Sequence, residues 1–412
     1  MGLFDRKSKA EPETRAVVGE SQFTSLVMGT WLGTNEANEL VNTDTALSVP
    51  AVWAAVNFLA RTLASLPINV YRKTSSGRNR ITGGLQTILH DAWTPEHSSF
   101  RARLKMWTDV FTTGRAVVFI ERAPAGNVIN LWPLDPSKVT VSKSPGQETQ
   151  YSYSTGNGRS VNYAASEVLD IPFFIKADGL EHRGPIVTNS QAIGLAIAVT
   201  KQAARFYSNG GVPPFVVTGQ FQSAGALQKS QADFREAIKK AAANKEQALV
   251  LPANMDIKAV GTNAEQQQLT EAQRWCVEQV ARIYSLPPTF LQDLTHGTYS
   301  NTEQQDLHLT KHTLRGWIEQ FEQELNLKLW GRARSGTYAE VNVDAMLRGD
   351  FTTRMQGYAT AIQNAVMMPN EARQRENMPD DPAGGALLIQ GATVPLGSQP
   401  VANEVTNNDA SN

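Results

Sequence analysis

Two adjacent prolines, Pro287 and Pro288, constrain the fold strongly, because they end a stretch with clear helical periodicity. Proline lacks a backbone N–H and clashes with the preceding turn, so a helix cannot continue through the pair. The apolar residues before it recur at steps of three and four, which is the helical repeat: Leu269, Ala272, Cys276, Val280 and Ile283. The sequence therefore predicts a helix over 264–285, followed by a loop.

A second long helix is predicted after that loop and extends to Trp330. Ser300 and Glu303 fit a capping box, in which the two side chains satisfy the first free N–H groups of a helix. The apolar stripe of this helix is formed by Leu307, Leu314, Ile318, Phe321 and Leu325. Two long helices joined by a loop of about fifteen residues are thus a central prediction.

Length and charge limit the class of protein. The chain has 412 residues, too many for one compact core, so two or three domains are expected. The net charge of −1 means that the chain does not hold nucleic acid by its overall charge, although a local patch could touch it. No segment is apolar enough to span a membrane, and the charged N-terminus has no signal core. We expect a soluble protein made in the cytoplasm, with its single cysteine, Cys276, as a small buried side chain.

The remaining pattern mixes helices and strands, which predicts an α+β fold. In the first half, Ser48 can cap a helix over 49–66, and Ser98 or Ser99 can begin a helix that Gly114 ends. Residues 75–84 are predicted as a turn-rich connection, and strands are predicted over 68–73, 115–122, 127–134, 138–143, 149–153, 160–164 and 167–174. Residues 1–20 are predicted to be loose.

The second half is richer in helix. Helices are predicted over 188–210, 226–247 and 349–368, with strands over 213–219, 248–252 and 255–260. Asn370 can cap a short helix that follows. Beyond it the periodicity is lost, which predicts loop and a disordered tail.

The loop between the long helices carries residues that resemble an active site. Asp293, His296, Tyr299 and Ser300 lie close together in sequence, and His308 and His312 follow at the spacing of a zinc helix. The metalloprotease motif H-E-x-x-H, however, needs a glutamate as general base between its histidines. Here Lys311 lies between them and would repel a cation, which favours a solvated polar face. A hydrolase in which Asp293 or Glu303 completes the site remains an alternative.

Other catalytic motifs give weaker signals. Ser300 is better explained as a helix cap, since no G-x-S-x-G turn surrounds it. There is no phosphate-binding G-x-x-x-x-G-K-[ST] loop, and Gly156-Asn-Gly158 lacks the third glycine of a dinucleotide site. The basic cluster of Lys239, Lys240 and Lys245 is typical of a solvated helix face. The residues therefore predict no enzyme, no metal and no cofactor.

Five segments follow one another along the chain: VPAVWAAVNFLARTLASLPINVYRK, ARFYSNGGVPPFVV, VARIYSLPPTFLQDLTHGTYSNTEQQ, TLRGWIEQFEQELNLKLW and MMPNEARQRENMPD. In this order they resemble the portal proteins of tailed bacteriophages, the head-to-tail connectors of long non-contractile-tail phages. The resemblance covers roughly residues 30–385. It implies an α+β portal fold with wing, stem, clip and crown parts, assembled as a ring with an axial channel.

The resemblance also implies a division of the chain. The parts are a flexible N-terminus (1–30), the wing's α/β part (31–185), stem helix 1 (186–209), the clip (210–263), stem helix 2 (264–285), a tunnel loop (286–301), the wing's long helix and following strand (302–343), the crown (344–389) and a disordered tail (390–412). By the same resemblance the channel-facing residues are Asp293, Leu294, Thr295, His296, Gly297, Thr298, Tyr299 and Ser300. They include no lysine or arginine, as suits a channel that must not grip a sliding polyanion.

Partners follow from the resemblance alone. It implies a homo-oligomeric ring, commonly of twelve subunits in the virion, at one capsid vertex, through which double-stranded DNA is packaged and ejected. The terminase large subunit would dock on the clip, where Lys239, Lys240 and Lys245 are candidate contacts, and a head-tail adaptor would replace it. The ring would also contact the major capsid protein and assemble in the host bacterial cytoplasm, without a membrane. The alternatives are a metal-dependent hydrolase or another phage head protein, such as a scaffold or adaptor.

Overall fold

The computed structural model describes residues 15–18, 35–75, 77–156, 158–208, 215–219, 225, 228–229, 232–233, 236, 255–259, 264–291, 308–332, 336–343, 351–376 and 378–388. The chain divides into two compact units, Met1–Val341 and Asn342–Asn412. Each unit is described by itself.

The elements alternate between helix and strand along the chain. Up to residue 172 they are β1 (Arg15–Val18), α1 (Thr43–Leu47), α2 (Pro50–Ser65), β2 (Ile68–Thr74), β3 (Gly77–Arg80), α3 (Leu85–His90), β4 (Ala92–Thr94), β5 (His97–Ser98), α4 (Ser99–Thr112), β6 (Arg115–Arg122), β7 (Val128–Pro133), β8 (Val139–Lys143), β9 (Gln150–Gly156), β10 (Arg159–Ala164) and β11 (Val168–Pro172). They continue as α5 (Pro185–Thr188), α6 (Ser190–Ser208), β12 (Phe215–Gly219), β13 (Met255–Ala259), α7 (Ala264–Ile283), a 3-10 turn (Pro288–Leu291), a π-helix (Leu309–Leu314), α8 (Arg315–Trp330), β14 (Thr337–Val341), α9 (Phe351–Gln363) and α10 (Pro369–Arg375). This order of elements confirms the predicted α+β class.

The core of the first unit forms where α2 packs against α4. The inward side chains of both helices are spaced at three and four residues: Val52, Val56, Leu59 and Leu63 on α2, and Met106, Trp107, Val110 and Phe111 on α4. Burying each of these contributes about 1.5–3 kcal/mol of hydrophobic free energy. Pro50 begins α2, and the Ser98 side chain accepts a hydrogen bond from the Arg101 N–H and so caps α4, as predicted.

Antiparallel sheets surround this helical core. Their strand orders are β11-β6-β7, β14-β2-β3 and β1-β8-β9-β10. In the first sheet β6 is central and nearly fully buried, with Val118 opposite Leu169 and Ile120 opposite Leu131. After α4 the chain turns at Gly114, whose φ is +89°, and a Cβ there would lie 2.3 Å from the Cα of Gly184. Two glycines therefore allow the end of α4 to touch the start of α5.

Several local predictions are wrong. Ser48 does not cap α2, because it ends α1, and Val49 is the capping position. Residues 75–84 include strand β3, paired with β2, and the N-terminal segment predicted as loose includes β1, paired with β8. Asn370 lies inside α10 instead of capping it, and its side chain binds the backbone of Asp381.

The middle of the chain shows the predicted order of helix, small unit and helix. Helices α6 and α7 pack against each other, and between them β12 and β13 form an antiparallel pair. The predicted strand 248–252, most of the predicted helix 226–247, and Lys239, Lys240 and Lys245 lie outside the described residues. The two long helices and the β-pair are confirmed, while their assignment to a stem and a clip stays a prediction.

The second unit contains α9 and α10. Arg354 forms an ion pair with Glu376 (2.7 Å from Nε to Oε1), and the Tyr358 hydroxyl donates to the same carboxylate. Helix α9 ends at Gln363, earlier than the predicted end at residue 368, and Ala365 follows with a φ of +57°. Within the described part of the chain no helix combines the length and apolar character needed to cross a membrane.

Candidate functional site

The predicted channel residues, Asp293 to Ser300, lie in the 292–307 segment, which is outside the described residues. The structure instead describes the two ends of this segment, at Leu291 and His308. We call these two ends together the root, defined as residues 284–291 and 308–314. The root fixes the two positions between which the predicted channel residues lie.

The first half of the root is a helix end and a turn. Helix α7 ends at Ile283, four residues before Pro287, because a proline ring clashes with the carbonyl four positions earlier. Ser285 then takes a left-handed conformation, with φ of +53°. The Leu286 N–H still donates to the Ala281 carbonyl (2.8 Å), so the helix end remains closed. The predicted break at the two prolines is confirmed.

Three buried side chains, Tyr284, Leu286 and Leu291, anchor this half of the root in the first unit. Tyr284 is 2% exposed, and its hydroxyl donates to the backbone carbonyl of Phe111 in α4 (2.9 Å). Burial raises the pKa of the Tyr284 hydroxyl, so it stays a neutral donor. Phe290 packs on Phe58 of α2, with ring centroids 5.1 Å apart, and Leu291 is also buried. The chain therefore enters the undescribed segment from a fixed position.

An aromatic cluster joins the root to the surrounding elements. Phe111 of α4 lies edge-on to Tyr284 (6.4 Å between centroids) and to Trp317 of α8 (5.2 Å). Phe173, just after β11, packs on Trp317 at 5.2 Å and on Tyr284 at 6.5 Å. Such pairs add about 0.5–1.5 kcal/mol each beyond the area they bury. Elements far apart in sequence are thus held together beside the root.

The second half of the root is a π-helix, Leu309–Leu314, that leads directly into α8. Leu309, Thr313 and Leu314 are each less than 5% exposed. The Thr313 hydroxyl donates to the Ser285 carbonyl at 2.6 Å and so bonds the two halves of the root to each other. π-Helical turns are rare and are frequently found at functional sites.

Helix α8 is fixed to the edges of two sheets by side chains spaced at four residues. Gln320, Glu324 and Lys328 bind β11 and the turn before it, while Glu322 and Asn326 bind β14. The bonds join Gln320 Nε2 to the Pro172 carbonyl (2.9 Å), the Asp170 N–H to Glu324 (3.3 Å), Lys328 Nζ to the Ala165 carbonyl (2.5 Å), the Val341 N–H to Glu322 (2.5 Å) and the Ala339 N–H to Asn326 (2.8 Å). Of the predicted stripe, Leu314, Ile318, Phe321 and Leu325 are buried beneath them, and Leu307 lies outside the described residues.

His308 and His312, the pair at zinc spacing, are exposed at the start of this helix. Their rings lie 4.6 Å apart, and Lys311 is exposed beside them. Among the described residues no group of three or more His, Cys, Asp or Glu could hold a metal ion. Asp293 and Glu303, the candidate third ligands, lie outside those residues. The described part of the site thus offers two imidazoles on a solvated polar face.

Besides Tyr284 of the root, a cluster of ionisable groups with shifted pKa values is formed by Arg115, Tyr151 and His182 around Asp170. Arg115 is 4% exposed, and its Nε donates to Asp170 Oδ1 (2.7 Å), while the Tyr151 hydroxyl donates to Oδ2 of the same carboxylate (2.7 Å). Burial, followed by the charge of Asp170, raises the pKa of Tyr151. Burial, followed by the charge of Arg115, lowers the pKa of His182 to about 4. The sequence contained no signal for this cluster, because its members come from separate strands and a loop.

Comparison with known proteins identifies the family to which this chain is similar. The phage portal protein family model matches residues 50–377. The portal protein of Enterobacteria phage HK97 is 26% identical over 379 residues, covering 90% of this chain and 88% of the relative. The probable portal protein of Streptomyces phage phiC31 is 26% identical over 381 residues, covering 89% and 82%.

A solved structure shares the fold. It is the neck of a native gene transfer agent particle, computed with C12 symmetry, with a TM-score of 0.54 and 15% identity over 89% of this chain and 96% of that one. The family match spans the core helices, the two long helices, the double-proline break and the root. This chain therefore belongs to the phage portal protein family.

Proposed function

We propose that copies of this chain form a closed ring at one capsid vertex, through which double-stranded DNA is packaged and later ejected. The observation that carries the proposal is the family match over residues 50–377, which includes both sides of the root. The similarity to a neck with C12 symmetry supports twelve subunits in the particle. A ring of this kind uses two different surfaces of each copy, so that every copy contacts two neighbours.

The 292–307 segment is the proposed lining of the channel, with Asp293 to Ser300 closest to the DNA. Those eight residues include no lysine or arginine. Each basic contact to a phosphate adds affinity by releasing counterions, and a ring would multiply that grip by its subunit number. The buried side chains that anchor the root on both sides support a segment that is held in place while DNA slides past it.

The ring and the motor that drives DNA would be separate proteins. The family is structural, and the proposed ring does no chemistry. A terminase large subunit docked on the clip would hydrolyse ATP, with Lys239, Lys240 and Lys245 as candidate contacts. A head-tail adaptor would then take its place, and the major capsid protein would surround the wing. The ring would assemble in the host bacterial cytoplasm and end in the virion.

Adding positive charge to the channel tests the conduit directly. His296→Lys or Tyr299→Lys would place a cation beside the sliding phosphates in every subunit, so packaging by particles that carry either variant should slow. Because the grip is electrostatic, raising salt from about 50 to about 200 mM should relieve the slowing. The measurement is the rate of DNA uptake in an in vitro packaging reaction.

Asn162→Lys is the matched control, since Asn162 is exposed on β10 and the change adds the same charge. Packaging with this variant should match the unmodified ring. If all three variants package at the rate of the unmodified ring at low salt, the segment does not face DNA. If all three are slowed equally, the effect comes from added charge anywhere on the ring.

A further inference from the structure

Two residues on either side of the 292–307 segment, Ser285 before it and Thr313 after it, are bonded to each other. Ser285 lies just after α7 with φ of +53°, a conformation that a residue with a side chain keeps only when its surroundings hold it. Its N–H donates to the Arg282 carbonyl (3.2 Å), and its own carbonyl accepts from Thr313. The left-handed turn therefore closes the helix and presents a carbonyl to the returning chain.

The hydroxyl of Thr313 makes a different bond from those of several other threonines in long helices. Thr108, Thr112 and Thr200 each donate to the carbonyl four residues earlier in their own helix, at 2.7–2.8 Å, which is the usual local bond. Thr313 instead donates to Ser285, 28 residues earlier in the chain. It lies in the π-helical turn, where the backbone is wider than in an α-helix.

The donor side of this bond is buried, while the acceptor side is exposed. Thr313 is 4% exposed, and Leu309 and Leu314 of the same π-helix are 3% and 0% exposed, whereas Ser285 is exposed. Loss of the hydroxyl would leave the Ser285 carbonyl to water and remove this link between the two halves of the root. A valine at 313 would fill the same volume, so the bond can be removed with little change in packing.

The Thr313 side of the bond is the fixed side. Thr313 leads into α8, which is bonded to the edges of β11 and β14 over three turns. The hydrogen bond therefore connects the left-handed turn at Ser285 to the part of the first unit that two sheets hold in place.

We propose that Thr313 is a positioning residue of the channel segment: its bond to Ser285 sets the separation and direction from which residues 292–307 extend. This inference rests on the proposed function, because it gives that segment a fixed base against the load of moving DNA. Thr313 touches no DNA itself and acts through Ser285.

Hydrogen–deuterium exchange of the assembled full-length chain tests the bond without DNA. In Thr313→Val, amides of residues 284–291 and 308–314 should exchange about three- to tenfold faster, as expected for a net loss of one partly buried hydrogen bond. Thr313→Ser keeps the hydroxyl and should restore slow exchange. Thr112→Val is the matched control, since Thr112 is equally buried and loses a bond of 2.7 Å within its own helix.

Packaging then tests the positioning role. Rings of Thr313→Val should assemble at the normal yield but take up DNA more slowly, while rings of Thr313→Ser and Thr112→Val should match the unmodified protein. Unchanged exchange at the root, or equal changes in Thr112→Val, would overturn the bond's role. Faster exchange with normal packaging would overturn the positioning role. Failure of the channel proposal itself is separate and would appear as normal packaging with His296→Lys and Tyr299→Lys.

Discussion

At the scale of single residues, burial decides which ionisable groups of this chain change their chemistry. His182 is partly buried beside Arg115 and Asp170, and its Nδ1 has no hydrogen-bond partner within the described structure. Burial, and then the nearby Arg115 charge, lowers its pKa from 6.5 to about 4. The folded protein therefore keeps this imidazole neutral at pH values where the unfolded chain would protonate it.

The stability of the fold should depend on pH through His182. Between pH 6.5 and 4 the unfolded state binds the proton first, so acid favours unfolding; above pH 6.5 both states are neutral and the effect disappears. Relative to His182→Gln, the free energy of unfolding should fall by up to about 3 kcal/mol as pH drops through that window. Urea unfolding followed by tryptophan fluorescence measures it.

The comparison with His182→Gln isolates this group from other titrating side chains. Asp109, for example, has a pKa raised to about 6 by burial, which favours the folded state in acid and acts in the opposite direction. A difference between the two proteins that stays constant from pH 7 to pH 4 would show that His182 titrates normally in the folded state.

Residue-level reasoning from sequence succeeded where a pattern reflects burial. Cys276 is 5% exposed, as predicted for a small buried side chain, and burial raises its thiol pKa. The same reasoning directed attention to His308 and His312, which are exposed, and gave no sign of His182. Spacing along a helix can be read from sequence, whereas contact between Arg115, Asp170 and His182 depends on tertiary structure.

At the scale of elements, α8 fits both strand edges because the repeats of helix and strand nearly match. Four helical residues advance about 6.0 Å and two strand residues about 6.6–6.8 Å. Gln320 and Glu324 accordingly reach Pro172 and Asp170, two residues apart on β11. Glu322 and Asn326 bind β14 in the same manner. The helix thus satisfies edge groups that would otherwise be free to pair with another strand.

Removing one of these contacts should be costly. Asn326 is 5% exposed; its Oδ1 accepts from the Ala339 N–H (2.8 Å) and its Nδ2 donates to the Ala339 carbonyl (2.9 Å). Asn326→Leu keeps the volume but leaves both backbone groups without the amide, which should cost about 2–4 kcal/mol of unfolding free energy. Denaturant unfolding measures the loss.

Gln323→Leu is the control on the exposed face of the same helix, and it should change stability by no more than about 0.5 kcal/mol. Equal effects of the two substitutions would mean that the amide contributes nothing beyond the helical propensity of its position.

Long periodic elements were predictable and short or irregular ones were not. The apolar stripe of α8, which is buried in its described part, that of α7, which is buried or half-buried, and the double-proline break follow from periodicity and proline sterics. Strand β3, Gly77–Arg80, is fully exposed, so it shows no alternation of buried and exposed residues; it joins its sheet through backbone bonds to β2 and through Arg78, which pairs with Glu340 and lies over the Tyr71 ring. The π-helix depends on how α8 docks, which no local pattern records. The Thr313–Ser285 bond at the root was missed for the same reason.

At the scale of the whole molecule, a ring requires each copy of the chain to expose surfaces that its neighbours bury. Trp53 on α2 and Trp275 on α7 are 56% and 46% exposed, and tryptophan is among the residues that most often anchor protein interfaces. A closed ring offers such side chains neighbours on two sides of each copy. The family assignment supports a place at the portal vertex, and in the proposed ring the root would be the base from which each copy holds one segment towards a common axis.

Electron-microscope imaging of the purified full-length chain tests the central claim most directly. We expect closed rings with an axial pore, with twelve subunits in the assembled particle. In averaged images, each repeating unit of the ring should correspond to one copy of the chain. Monomers at all concentrations, solid particles without a pore, or open filaments would contradict it.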